Sequence, residues 1–139
     1  MIVTVCTRGN VRSVTAATIL KDYYGFINIF PIGMDTCSPD FIFSLNELFH
    51  PEFWVVADRN VMKNLVELSE RSPMSNWDIK FVDIGIDRWQ SPMHPELVSL
   101  ILNNFQAHGL KPQSETYPNP EIYKTANLEA YYRHRKPVV

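Results

Sequence analysis

The chain is poor in cysteine, in net charge and in long apolar runs, and each shortage removes a class of protein. Two cysteines, Cys6 and Cys37, are too few for a disulfide framework. The four histidines, His50, His94, His108 and His134, are scattered. No cysteine–histidine set has zinc-site spacing, so neither a metal nor a cofactor is expected. The formal net charge is only -2, which leaves no electrostatic footprint for nucleic acid as a partner. No apolar run approaches bilayer-spanning length, so no membrane is expected as a partner either. Met1 leads straight into a strand-like segment without the layout of a signal peptide. The expected compartment is therefore the cytoplasm, where both thiols stay reduced. No internal repeat is visible.

What remains is an ordinary globular chain. Its 139 residues, 45% hydrophobic and 20% charged, suit one domain with a real core. Short apolar runs at Ile2–Val5, around Phe26–Ile32, at Phe53–Ala57 and at Ile79–Ile84 have strand lengths. Helical patterns lie between them. Ser13–Tyr24 puts Ala16, Ala17, Leu20, Tyr23 and Tyr24 on one face, with Gly25 closing it. Asp40–His50 reads as a short helix or turn, Asn60–Glu70 as a helix that Asp58 caps, and Pro95–Ala107 as a helix opened by proline. Alternation of this kind predicts an α/β fold, a four-stranded parallel sheet flanked by helices in three layers. From Lys111 onward Pro112, Pro118, Pro120 and Pro137 break the chain, so residues 1–110 read as the domain and 111–139 as an extension. Leu128–Arg133 has the pattern of one or two helical turns, and four tyrosines (Tyr117, Tyr123, Tyr131, Tyr132) are more aromatic than a solvated tail requires.

The segment Cys6-Thr7-Arg8-Gly9-Asn10-Val11-Arg12-Ser13 carries the chemistry. It follows a β-branched run and precedes a helix, which places Cys6 at the carboxyl end of the first strand, where ligands of such sheets bind. Five residues between cysteine and arginine suffice for a loop that curls around a tetrahedral anion. Its N–H groups (Thr7 to Arg12) point inward and a helix N-terminus lies behind them. Arg12 can hold two anion oxygens, Ser13 can donate to the sulfur, and Gly9 can take the positive φ of a tight loop. Arg8 either steers anions or is simply solvated. A thiolate attacking phosphorus leaves an alkoxide or phenoxide that needs a proton. Asp87, beside Arg88 and Trp89, is the expected donor, and Asp83, nearer the strand, is the alternative. The plain alternative for Cys6 is a small buried core residue. Trp54 is expected in the core and Trp89 at the substrate rim. The histidines are expected as surface or capping groups.

The chain resembles the low-molecular-weight protein tyrosine phosphatase superfamily, and within it a compact branch of about this size. Val5-Cys6 through Ser13 with Thr15-Ala16-Ala17, the Pro31-Ile32-Gly33 turn, Trp54–Arg59, and Val82–Ile84 with Asp87, Met93 and Pro95-Glu96-Leu97 carry the likeness, over residues 1–108. The resemblance implies a phosphatase-like fold, Cys6 as nucleophile, Arg12 as phosphate clamp, Ser13 as thiolate-tuning residue and Asp87 as general acid. It also implies a phosphorylated protein or small aryl phosphate as substrate, and leaves self-association open. The chain departs from the pattern with Gly9 where asparagine is usual, Val11 where many relatives have a second cysteine, Val14 and Arg88 where proline is usual, and Pro31 in the turn. Three expectations follow: a phosphomonoesterase, an arsenate reductase with Cys37 or an external thiol as resolving partner, or a module that binds phosphate or phosphopeptide without turnover.

Overall fold

The computed structural model describes residues 1–71, 77–85 and 88–112. Strands and helices alternate along them: β1 (Ile2–Cys6), α1 (Arg12–Asp22), β2 (Ile29–Gly33), α2 (Pro39–Phe49), β3 (Phe53–Val56), α3 (Arg59–Ser69), β4 (Ile79–Phe81) and α4 (Pro95–Ala107). The strands form one parallel sheet in the order β2-β1-β3-β4, with Cys6 level with Gly33 and Val5 level with Val56.

Alternation along β1 divides the core. Ile2 and Cys6 pack with α1 and α4 through Ile19, Leu20, Leu97, Ile101 and Phe105. Val3 and Val5 pack with α2 and α3 through Ile42, Leu45, Val61 and Leu65. The sheet is therefore covered on both faces, which is why β1 is buried along its whole length. The connection leaving β1 runs over one face and that leaving β3 over the other. The carboxyl ends of these two neighbouring strands thus flank a crevice where the winding reverses, the usual ligand position in open α/β sheets.

Helix starts follow local chemistry. Ser38 accepts from Phe41 N–H ahead of Pro39, Asp58 accepts from Val61 N–H, and His94 accepts from Glu96 N–H ahead of Pro95. Helix α1 differs, because Val11 at its N-cap offers no side-chain acceptor.

Some boundaries differ from the sequence reading. Of the two readings of Asp40–His50, helix or turn, the helix holds, from Pro39 to Phe49 with His50 as its C-cap. The second strand starts at Ile29, because Phe26 turns inward to meet Phe53 edge-on at 5.7 Å instead of joining the ladder. The fourth strand ends at Phe81, although Val82 and Ile84 still donate to Val56 and Ala57. Pro31 lies on the edge strand. Asn28 and Met34 bond β1, so the odd-numbered residues of β2, Pro31 included, face the open edge, where a missing N–H costs no ladder bond. Among the described residues no helix is long and apolar enough to cross a membrane. The extension beyond Pro112, with the Leu128–Arg133 turns, lies outside the described residues.

Candidate functional site

The Cys6 loop is held from three sides. Below it, Thr4 Oγ1 donates to the Ser13 carbonyl at 2.8 Å, tying β1 to the first turn of α1. Beside it, Met34 N–H and Asp35 N–H donate to the Cys6 and Thr7 carbonyls, so the β1–β2 ladder continues into the loop. Gly9 and Gly33 then meet backbone to backbone. A Cβ on Gly9, whose φ is +74°, would lie 2.5 Å from Gly33 N, and one on Gly33 would lie 2.3 Å from the Arg8 carbonyl carbon. Both positions must therefore lack a side chain.

Inside the loop the polar atoms converge on sulfur. Gly9 N–H donates to Cys6 Sγ at 3.1 Å, and Ser13 Oγ lies 3.3 Å from the same sulfur. Cys6 and Ser13 are almost fully buried, while Thr7, Gly9 and Asn10 are half-buried and Arg8 is exposed. Val11 is buried and closes the loop against the core.

Arg12 is the most constrained residue of the site. It is 1% exposed, yet its side chain crosses the crevice between β1 and β3. Nη1 donates to Asp58 Oδ2 at 2.7 Å and to the Gly85 carbonyl at 2.7 Å, and Nη2 donates to Thr7 Oγ1 at 3.0 Å. Nε is buried and has no acceptor among the described residues. A buried donor without a partner is costly, and a site built for an oxyanion is a physical reason to keep one. Neighbouring polar groups are spoken for: Thr15 Oγ1 donates to the Val11 carbonyl and accepts from Met93 N–H.

The structure thus brings Cys6, Thr7, Gly9, Arg12 and Ser13 together. It adds Asp58, which the sequence suggests only as a helix cap, and Gly85. Asp83 is exposed and makes no hydrogen bond or ion pair among the described residues, and Asp87 lies outside them. Trp54 is in the core, as expected. Trp89 corrects the sequence reading: it is buried against the α1–α4 face, not at a rim, with Arg88 covering one ring face at 4.5 Å. Arg88 is itself held by Glu96. Cys37 packs on the Val5 face of the sheet and Cys6 on the opposite one. His94 caps α4, His50 and His108 are exposed, and His134 lies outside the described residues.

Fold and site together define an α/β domain with a cysteine–arginine loop at the carboxyl edge of its central strand. No protein-family model, curated protein or solved structure matches the chain.

Proposed function

We propose that this protein is a cysteine-dependent phosphomonoesterase of the protein tyrosine phosphatase type, built on a low-molecular-weight-phosphatase-like fold. The observation that carries this reading is the unpaired, buried Nε of Arg12 beside a sulfur that accepts a backbone N–H. Cys6 borders the apolar core, but core filling alone does not account for the Gly9 N–H and Ser13 hydroxyl at its sulfur, groups suited to a thiolate and to the oxygens of a tetrahedral anion. Helix α1 adds its N-terminal N–H groups, which no side chain caps.

In the proposed reaction the Cys6 thiolate attacks phosphorus. The S–P bond forms as the P–O bond to the leaving group breaks, and Asp87 gives that oxygen its proton. Gly85, two residues before Asp87 in the chain, is bonded to Arg12. Water then attacks the phosphocysteine: an O–P bond forms as the S–P bond breaks, the Asp87 carboxylate takes a proton from the water, inorganic phosphate departs, and the Ser13 hydroxyl supports the returning thiolate. Arg12 and the loop N–H groups bind the equatorial oxygens through both steps. Phosphorylated proteins and small aryl phosphates are the proposed substrates, acted on in the cytoplasm. For the arsenate reductase reading, the packing of Cys37 on the other face of the sheet from Cys6 favours an external resolving thiol over Cys37.

The test is hydrolysis of p-nitrophenyl phosphate by the purified protein. Wild type should turn it over, and Cys6→Ser should abolish turnover while still binding inorganic phosphate. Equal rates for the two proteins would sink the reading, and phosphate binding without turnover by wild type would make the domain a binding module.

A further inference from the structure

Asp58 occupies an unusual place for a helix cap. One carboxylate oxygen, Oδ1, accepts Val61 N–H at 2.9 Å and starts α3. The other, Oδ2, reaches across the crevice to Arg12. A guanidinium has five N–H donors in a rigid plane. Nη1 spends its two on Asp58 and Gly85, and Nη2 spends one on Thr7. Among the described residues, the donors left are the single Nε–H and one Nη2–H. Nε and Nη2 share one edge of the plane, the edge on which a guanidinium grips an oxyanion at two points.

We propose that Asp58 is a positioning residue for anion recognition: it holds Arg12 by Nη1 so that the Nε–Nη2 edge faces the Cys6 loop. Its carboxylate also balances the buried guanidinium charge when the loop is empty. This role rests on the phosphomonoesterase reading only for its catalytic consequence. The orientation of Arg12 has a readout of its own, the Nε–H resonance.

The experiment compares wild type with Asp58→Ser and Asp58→Asn. Serine retains the cap of α3 but is too short to reach Arg12, whereas asparagine keeps the shape and removes the charge. In wild type the Arg12 Nε–H signal, followed by ¹H–¹⁵N NMR, should shift on titration with inorganic phosphate. In Asp58→Ser that shift should disappear. With p-nitrophenyl phosphate, kcat should fall about a hundredfold, the scale of a small misplacement of a reacting group. KM should change by less than about threefold, because losing a neighbouring negative charge offsets part of the lost grip in the ground state. Asparagine should fall between wild type and serine on both readouts. A wild-type Nε–H that ignores phosphate overturns the proposal, even if neither variant folds. Variants matching wild type in both Nε–H response and kcat also overturn it, and leave the hydrolase reading intact. An Nε–H response that needs Asp58 in a protein without turnover supports the positioning role and removes the hydrolase.

Discussion

The two faces of the sheet are built from the same five residues of β1, yet they do different work. The Val3–Val5 face is closed by hydrophobic contact: Trp54 is fully buried and stacks on Trp77 at 5.0 Å, and its indole N–H donates to Asn46. The Ile2–Thr4–Cys6 face buries polar groups as well, namely Thr4, Arg12, Ser13 and Thr15. Nearly all of their bonds serve to aim the Cys6 loop. Period-two alternation therefore lets one strand anchor a rigid floor on one side and place the Cys6 thiol among polar groups on the other.

This contrast can be broken from either side, and the largest effect should come from the floor. Trp54→Ala should cost about 3–5 kcal/mol of stability, as emptied aromatic sites do. Denaturant melts would measure that loss. The phosphate affinity of the folded fraction should stay at its wild-type value, and a parallel loss of affinity would show that the faces are not separable. Gly9→Ala should act in the opposite sense. Positive φ costs an alanine about 1–2 kcal/mol, and the methyl group would press on the Gly33 backbone. Phosphate binding measured by calorimetry should fall sharply while the protein still melts cooperatively. The smallest effect should come from Arg88→Ala. Its pair with Glu96 and its stacking on Trp89 are half-exposed, and such contacts contribute under about 1 kcal/mol. A melting temperature that is unchanged within a degree or two, and insensitive to salt, would place Arg88 outside both faces.

The sequence shows the site better than its supports. A β-branched run, a cysteine, five residues, an arginine and a serine are local, and local patterns survive in one dimension. The bridge from Asp58 to Arg12 joins residues 46 positions apart and leaves no periodic trace; the capping role of Asp58 was legible only because a cap is local. The sequence of helix α2 is ambiguous because Phe41, Ile42, Phe43, Leu45, Leu48 and Phe49 crowd its length. Three of them, Phe41, Leu48 and Phe49, stay exposed. The burial of Trp89 is not legible either, because proximity in sequence to a candidate acid says nothing about which way a ring turns. The close approach of Gly9 to Gly33 depends on strand register, which neither segment reveals alone.

The reach of Arg12 has a consequence for how this protein comes into being. Its bonds to Asp58 and Gly85 close chain segments of 46 and 73 residues. Contacts of that span form only after the entropy of joining distant segments has been overcome. A growing chain emerging from the ribosome therefore displays the Cys6 thiol long before Arg12 has its partners Asp58 and Gly85. An anion that recognises the finished crevice would hold the whole sheet together, by about 2.7 kcal/mol at a hundred times its dissociation constant. Bound phosphate, if the proposed site takes it, would then report the fraction of chains whose crevice is complete.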